Sequence, residues 1–481
     1  MGLGVMGDDV GRWRAMLRCG SLGKGRRFGG LGSYAMKRCC RASFGLAFLA
    51  VVLSAGCSVR EGESLERFAR AADAAAIEQV RAGQREVANV VWWGFDPEDA
   101  TSSVQAAIDS GAAKVLVPYV GTPWVVTPIV LRSDLELVFE PGVLMLAKAG
   151  CFKAKNDSMF RAEDLHDVTL RGYGATLRMR KRDYQSDAYE KAEWRMTLRF
   201  AGCERVCVEG LRLESSGGDG IYVGAGSRGY CSDFVVRDVV CWDHHRQGIS
   251  VISAENLLIE NCVLAGTEGT APQAGIDFEP NSPTERLTNC VVRRCLFEDN
   301  ASAGVMVYVR QLSRESEPVS IRVEDCLFRG GGGAGIEIAA VVDDGVDGLM
   351  AFENCTIEGT ALAGIAVHDK AADRARVRFV NCRCKDVGLK MSGAGFGKDQ
   401  MAVPIRVTSR MQDFTERHGG IDFVDCYVYD TVARPALVVE ELQAGLGVFD
   451  VTGHITVCNP HGAYMDYRCK TSGVTVEVEG Q

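Results

Sequence analysis

A short phrase recurs through the middle of the chain. It consists of a glycine that usually follows a small residue, then a branched apolar residue, then alternation of apolar and other residues. The glycines of successive copies are 28, 27, 29, 31 and 29 residues apart. A period in this range marks a repeat architecture, in which each unit buries its apolar face only by stacking on its neighbours. The six copies are Asp219–Val223, Gln247–Val251, Ala274–Glu279, Ala303–Tyr308, Ala334–Ile338 and Ala363–His368.

A second landmark lies about midway between the glycine phrases. Two mostly polar residues follow an apolar residue and precede a cysteine, and the flanking residues alternate with period two. This pattern predicts a strand, a tight bend and a second strand, and Asn or Asp suits a left-handed bend. With the glycine strand, each coil holds three short strands and no helix, which predicts an all-β parallel β-helix. The cysteines are Cys262, Cys295, Cys326, Cys355, Cys382 and Cys426.

The cysteine content has a structural interpretation. The chain has 19 cysteines, but six of them hold one equivalent position in successive coils. A cysteine in such a column behaves as a small hydrophobe inside the coil. Spacings of about 30 residues match no zinc-binding pattern, so we expect no zinc. The net charge of −9 disfavours a duplex nucleic acid as partner.

The amino terminus has the pattern of an export signal. Lys37 and Arg38 precede an apolar run over 44–53, which is too short to span a bilayer. The run ends in Leu-Ser-Ala-Gly-Cys, which resembles a bacterial lipobox and implies that Cys57 is lipidated. We predict an upstream extension and signal over 1–57 and an outer-membrane or surface lipoprotein, held to the membrane by its lipid alone. An ordinary secretory signal with an unrelated cysteine is the alternative.

The segment after the signal divides into a tether and a cap. Residues 58–94 are predicted as a tether or short helix. Asp99 or Thr101 can cap a helix that ends at Gly111. The stretch from 95 to 118 resembles the helical N-terminal cap of the pectate-lyase-like superfamily, which includes polygalacturonases and phage tailspikes. The resemblance covers roughly 95–480 and implies a single-stranded right-handed parallel β-helix, with a C-terminal cap at about 441–481. It implies a fold and no particular activity.

The glycine strands predict the location of a candidate active site. The branched residue and the one two later point inward, so the residues between them form outward columns. Asp277 and Glu279 lie two apart on one strand, about 6.6 Å, and Asp277 and Glu337 lie two coils apart, about 9.6 Å. An inverting glycosidase needs two carboxyl groups about 6.5–9.5 Å apart. We therefore predict Asp277 and Glu279 as acid and base, with Glu337 as a possible substitute.

The same face gathers further polar and aromatic residues, and long loops on both sides would wall a groove there. These residues are predicted to bind substrate because they cluster across neighbouring coils beside the acids. A polar outer face of a solenoid, with no site, is the alternative. The residues are Asp219, Tyr222, His245, Arg246, Gln247, Tyr308 and His368.

An insertion over 178–195 interrupts the coils. It mixes six cations with Tyr184, Tyr189 and Trp194. Aromatic rings can stack on sugars and cations can pair with carboxylate or sulfate groups, which favours a sugar-binding loop. A solvated surface loop is the equal alternative.

Two sequence motifs resemble motifs of known hydrolases. Gly218-Asp219-Gly220-Ile221 resembles the Asp-Gly-Ile strand of polygalacturonases. The strand at 246–250 resembles their Gly-His-Gly-Ile strand, but Gln247 replaces the histidine and their paired aspartates are missing. The Asp277-Phe278-Glu279 pair is similar in kind to the acid pair of the iota-carrageenase hydrolases.

Three functions remain open from the sequence. The first is a glycoside hydrolase, with Arg246 and Tyr308 positioning the substrate and Tyr222 stacking on a sugar. The second is a polysaccharide lyase or uronate epimerase with Ca²⁺ on the carboxylates, where Arg246, His245 or Tyr308 helps proton abstraction. The third is a non-catalytic surface protein that binds glycan.

Overall fold

The computed structural model describes residues 65–389, 403–409, 415, 417–441, 446–469 and 471–480. The predicted signal, with Cys57, and the first part of the predicted tether lie outside the described residues. The described residues all belong to one compact unit, Glu63–Gln481.

Short helices stand at the start of this unit. The helix α1 spans Ala74–Arg81 and is capped by Asp73, whose carboxylate accepts a hydrogen bond from the Ala76 amide at 3.0 Å. The helix α2 spans Thr101–Ile108 and buries Val104 and Ile108 completely. The predicted helical cap is therefore present. None of the helices in the described residues has the length and apolar character to cross a bilayer.

Three further helical segments are short. Leu65–Phe68 and Val90–Trp93 are 3₁₀-helices, and the helix α3 spans Lys181–Tyr184 inside the insertion.

The strands lie on three faces, and neighbouring strands on each face pair in parallel. The first, here called the glycine face, carries the glycine phrases, and its strands alternate inward apolar with outward side chains. Its strands are Ile129–Val130, Phe160–Glu163, Leu198–Ala201, Ile221–Gly224, Ile249–Val251, Ile276–Phe278, Val305–Tyr308, Ile336–Val341, Ile365–Lys370, Ile405–Ser409, Leu437–Glu441 and Met465–Arg468.

The second face follows the glycine face in each coil and holds the longest strands. Its strands are Val87–Asn89, Lys114–Val117, Leu135–Phe139, His166–Arg171, Glu204–Glu209, Cys231–Arg237, Ala254–Glu260, Leu287–Arg293, Val319–Glu324, Gly348–Glu353, Arg376–Val380, His418–Tyr429, Val448–Cys458 and Thr471–Gly480.

The third face follows the bend. Its strands are Trp124–Val126, Leu144–Ala147, Thr176–Arg178, Arg212–Glu214, Val240–Trp242, Val263–Ala265, Leu296–Glu298, Leu327–Arg329, Thr356–Glu358 and Arg383–Lys385. The second and third faces merge near the C-terminal end, where His418–Tyr429 pairs with strands of both. Three strands per coil in parallel register confirm the predicted parallel β-helix.

The sheets extend beyond the predicted limits at both ends. Val87–Asn89 already pairs with Lys114–Leu116, inside the segment for which the sequence predicted a tether or short helix. At the other end, Val448–Cys458 and Thr471–Gly480 continue the second face through the segment predicted as a cap.

The bend between the second and third faces is built as the sequence predicts. The residue before each cysteine has a left-handed backbone, for example Asn354 with φ 54° and Asn381 with φ 50°. Asn381 donates to Asn354 at 2.7 Å, and Asn354 donates to Asp325 at 3.1 Å, so the side chains form a ladder along the stack. The six predicted cysteines are buried free thiols.

A second ladder, here called the charge ladder, runs along the outer side of the second face. One register column alternates arginine and glutamate through six successive coils, so each charge inside the column lies between opposite charges. Arg293 Nη2 lies 2.8 Å from Glu260 Oε2, and Arg237 Nε lies 3.5 Å from Glu209 Oε2. The column is Arg171, Glu209, Arg237, Glu260, Arg293 and Glu324.

Candidate functional site

The register of the glycine face decides which side chains can meet. Asp277 pairs with Ser250 on one side and Met306 on the other, and Met306 pairs with Glu337. Phe278 is completely buried in the core, as the predicted alternation requires. Asp277 and Glu337 therefore lie in one outward column, two strand spacings or about 9.6 Å apart.

Asp277 is covered although it points away from the core. Its side chain has an exposed fraction of 0%. Gln247, from the preceding coil, donates from Nε2 to Asp277 Oδ2 at 2.9 Å and accepts from the Ala274 amide at 2.9 Å. The residue that stands where polygalacturonases have a histidine therefore holds the buried acid in place.

Asp277 and Glu279 form a carboxyl pair. The pKa of Asp277 is raised well above its ordinary value, first by burial and then by the charge of Glu279 and a hydrogen bond between the two side chains. Glu279 keeps 30% of its side chain exposed. Asp277 therefore binds a proton more tightly than an ordinary carboxyl group and lies behind Glu279, which is partly exposed. This hydrogen bond brings the two carboxyl groups closer together than the estimated 6.6 Å.

Arg246 organises the acids. Its Nη2 donates to Glu279 Oε2 at 2.8 Å, and its Nη1 lies 3.8 Å from Asp219 Oδ2. Only 13% of the Arg246 side chain is exposed. The guanidinium therefore bridges acids that are 60 residues apart in the sequence.

Asp219 is the second buried acid of this cluster. Its side chain is fully buried, and neither carboxylate oxygen has a well-formed hydrogen bond within the described residues. Burial raises the pKa of Asp219 to about 7, although Arg246 and the Ser250 hydroxyl oppose that shift. The site therefore holds two acids that carry protons more readily than ordinary carboxylates do.

Glu337 belongs to a separate pair. His368 Nε2 lies 3.9 Å from Glu337 Oε1, and the His368 side chain is buried. Met306 and Tyr308, both half-buried, lie on the strand between this pair and the Asp277 strand. The face thus presents an apolar and aromatic floor with carboxyl groups on either side of it.

Two predicted binding residues lie at the edges of this arrangement. Tyr222 is half-buried, and the Arg199 guanidinium carbon lies 5.6 Å from the centre of its ring. His245 Nδ1 lies 2.9 Å from Gln185 Nε2 of the insertion. Burial and the nearby charges of Lys181 and Arg195 lower the pKa of His245 to about 4, so its ring is neutral at pH 7.

The insertion over 178–195 packs on the coils, and most of it cannot serve as a sugar-binding loop. Tyr184 and Tyr189 are buried, so they present no rings for stacking. Arg195 is fully buried and donates to the carbonyls of Phe152, Lys153 and Glu190. Lys181 donates to Asp243 at 2.6 Å. These four side chains hold the insertion on the coils, whereas Arg182, Lys191 and Trp194 stay exposed.

The end of the insertion supplies two residues that reach the site. Arg195 forms an antiparallel bridge with Gly217, which places Glu193 and Trp194 beside the turn that carries Asp219. Glu193 accepts from the Thr270 hydroxyl at 3.3 Å and acts electrostatically on both Asp219 and Arg246. Trp194 keeps 42% of its surface exposed.

Sequence reasoning did not select Glu193, although one signal was present. A Cβ at Gly217 would lie 2.6 Å from the Tyr184 ring, and one at Gly218 would lie 2.6 Å from the Glu193 carbonyl oxygen. The Gly217-Gly218 pair therefore marks the place where the insertion approaches the coil.

Calcium does not fit the carboxylate cluster. The Arg246 guanidinium lies between Asp219 and Glu279 and supplies the positive charge there. In the described residues, the carboxylates of this cluster do not converge within the distance of a shared ion. The group of side chains in the described residues that does converge in this way is Asp134, His166 and Asp167. It is exposed and lies outside the cluster, and Asp167 is paired with Arg205.

Comparison with known proteins bears on the handedness of the coils. The family model of the right-handed β-helix region matches residues 194–344, which include the glycine strands from Leu198–Ala201 to Ile336–Val341. The chain is a right-handed parallel β-helix. A curated relative, the uncharacterized protein YclG of Bacillus subtilis, is 25% identical over 191 residues. The match covers 37% of this chain and 32% of the relative, so this β-helix matches about a third of the relative's length.

Solved structures share the β-helix fold at low identity. The A-module of the mannuronan C-5 epimerase AlgE6 of Azotobacter vinelandii has a TM-score of 0.52 and 14% identity, covering 82% of this chain and 99% of that one. A Yersinia enterocolitica family 28 exopolygalacturonase has a TM-score of 0.48 and 12% identity, covering 82% and 77%. A mutant tailspike of the E. coli bacteriophage HK620, bound to a pentasaccharide, has a TM-score of 0.49 and 13% identity, covering 82% and 81%. At 14% identity the likeness to the AlgE6 module shows the fold alone.

Proposed function

We propose that this β-helix is an exported carbohydrate-active enzyme that hydrolyses a polysaccharide lying along the glycine face. The observation that carries the proposal is the carboxyl pair of Asp277 and Glu279, in which Arg246 binds Glu279, with Glu337 two coils away across a floor of Met306 and Tyr308. Carboxyl groups on either side of a sugar-sized floor are what glycoside hydrolysis requires.

The proposed roles differ from the simplest assignment of acid to Asp277 and base to Glu279. Glu279, which is partly exposed, delivers the proton of the Asp277–Glu279 pair to the leaving-group oxygen. Glu337 takes a proton from the water that attacks the sugar carbon, while the glycosidic C–O bond breaks. The column spacing places the backbone positions of Asp277 and Glu337 about 9.6 Å apart, just above the range of about 6.5–9.5 Å for inverting enzymes, and Glu279 lies against Asp277.

The neighbours of these acids suit the proposed steps. Burial beside Glu279 raises the pKa of Asp277 well above its ordinary value, which suits a proton donor. Arg246 holds the Glu279 carboxylate and stabilises it once the proton has left. His368, beside Glu337, can share the proton that Glu337 accepts.

Product analysis of the purified protein tests this proposal. The protein is incubated with neutral, uronic and sulfated polysaccharides, with and without EDTA. The proposal expects new reducing ends without ultraviolet-absorbing unsaturated ends, insensitivity to EDTA, and loss of activity in Glu279→Gln and Glu337→Gln. Unsaturated ends would show a lyase, and full activity in both variants would exclude these acids. Binding without any product would favour the non-catalytic alternative.

We also propose that the protein is anchored to the cell envelope through Cys57. The support is the apolar run and the lipobox-like sequence before this cysteine. Metabolic labelling with palmitate should label the full chain and should fail for Cys57→Ser. Labelling of that variant, or a soluble full chain in the wild type, would contradict the anchor.

A further inference from the structure

The site is rich in carboxyl groups and poor in available cations. Asp219, Asp277 and Glu279 surround Arg246, and Glu193 is close enough to act on its charge. Four acids therefore share one guanidinium. Both carboxylate oxygens of Asp219 and Oδ1 of Asp277 are buried without a well-formed hydrogen bond in the described residues.

The cation that acts on these acids is already engaged. Arg246 binds Glu279 and faces Asp219. Of the cations beside the neighbouring tyrosines, Arg199 is paired with Glu163, and Arg310 is hydrogen-bonded to Tyr308. A carboxylate or sulfate on a sugar at this place would meet like charge and would have to displace an existing ion pair.

The rim beside this cluster offers an aromatic surface in a fixed position. Trp194 stands between Glu193, which Thr270 holds, and the buried Arg195. The bridge between Arg195 and Gly217 ties this segment to the turn that carries Asp219. An exposed indole on an anchored backbone suits the apolar face of a pyranose ring, and the adjacent carboxylates suit sugar hydroxyl donors.

We propose that the ligand of this site is a neutral polysaccharide, one sugar of which stacks on Trp194 while its hydroxyls donate to Glu193 and Glu279. This inference rests on the proposed function, under which the ligand is the substrate. Polysaccharides with uronic acid or sulfate groups then do not bind where the glycosidic bond is cleaved. The excess of carboxyl groups over cations supports a neutral ligand. The exposed Trp194 on an anchored backbone supports the place at which the sugar stacks.

Affinity electrophoresis in gels that contain either a neutral polymer or an acidic partner tests the inference. The neutral and acidic pairs are hydroxyethylcellulose and carboxymethylcellulose, galactan and polygalacturonate, mannan and polymannuronate, and dextran and dextran sulfate. We expect retardation by at least one neutral polymer and at least tenfold weaker retardation by its acidic partner. Trp194→Ala should raise the apparent Kd for the neutral polymer about tenfold, and Trp242→Ala, which removes an indole that is 45% exposed on the third face, should not.

Several outcomes would overturn the inference. These are tighter binding of an acidic polymer than of its neutral partner, no retardation by any neutral polymer, or equal Kd values for wild type and Trp194→Ala. Binding requires no turnover, so the two proposals fail separately. Trp194-dependent binding of a neutral polymer without products would contradict the proposed hydrolase activity and support the neutral ligand. Products from acidic polymers alone would support a hydrolase and contradict the neutral ligand.

Discussion

Arg246 and Glu279 lie on successive coils and are joined by a hydrogen bond of 2.8 Å from Nη2 to Oε2. The bond matters because the same guanidinium faces Asp219 from the coil before. Three rungs of the glycine face are thereby tied together outside the backbone ladder. Glu279 is partly exposed while Asp277 behind it is closed off, so a ligand meets Glu279 first.

Replacing Asp277 by asparagine should abolish proton donation while keeping the shape of the site. We expect activity on any polysaccharide that the protein cleaves to fall about 10²–10⁴-fold, the usual contribution of a general acid. The folded state should be retained, because asparagine removes a buried acid whose pKa is raised. Reducing-end assays and thermal unfolding at pH 7 measure the two effects. Glu298→Gln, on the third face, is the control and should leave activity unchanged; equal activities of the two variants would exclude Asp277.

The protonation of Asp219 should make stability depend on pH. Its pKa is raised in the folded state to about 7 from 3.8. The folded chain therefore binds the proton more tightly, so this contribution is fully present below pH 4 and is lost as pH rises through 7. Each unit of pKa difference corresponds to about 1.4 kcal/mol. Urea unfolding from pH 4 to 8 should show Asp219→Asn gaining stability relative to wild type as pH rises, and a constant difference would contradict the assignment.

Removing the guanidinium of Arg246 should leave several acids without their cation. We expect Arg246→Met to lower the free energy of unfolding by about 3 kcal/mol at pH 8, because an uncompensated buried charge is costly. The loss should shrink at pH 5, where the acids can take up protons. A double-mutant cycle with Glu279→Gln should give a coupling of about 1–2 kcal/mol at pH 8. Additive effects would mean that the two side chains act independently.

The asparagine ladder allows a test of the bend. Asn354 combines a left-handed backbone with hydrogen bonds to Asp325 and Asn381. Both variants, Asn354→Gly and Asn354→Ala, lose the hydrogen bonds, but glycine adopts the left-handed backbone without strain, whereas alanine keeps a Cβ in it. We expect alanine to be less stable than glycine by about 1 kcal/mol. Urea midpoints at unchanged m-values measure the difference, and equal midpoints would argue against backbone strain at this bend.

The sequence predicts the repeating part of the molecule well and the site in outline. The spacing of the glycines and cysteines specifies three strands per coil, and strict alternation places Ile276 and Phe278 inside with Asp277 between them. Alternation also places Asp277 and Glu337 in one column, since parallel coils stack in register.

What the repeat cannot predict is how deeply an outward residue is covered. Asp277 is buried by Arg246 and Gln247, which come from the preceding coil and reach across it. Glu193 comes from an insertion with no counterpart in other coils, and its approach depends on the packing of Arg195 and Tyr184. Both features arise from contacts between segments that carry no periodic signal.

The charge ladder limits how the number of coils can change. Arg237, Glu260 and Arg293 occupy one column in consecutive coils. Excising the coil that contains Glu260 would bring two arginines face to face, whereas excising two consecutive coils would restore opposite neighbours. Along this stretch the solenoid can therefore lengthen or shorten only by an even count of turns without setting like charges against each other.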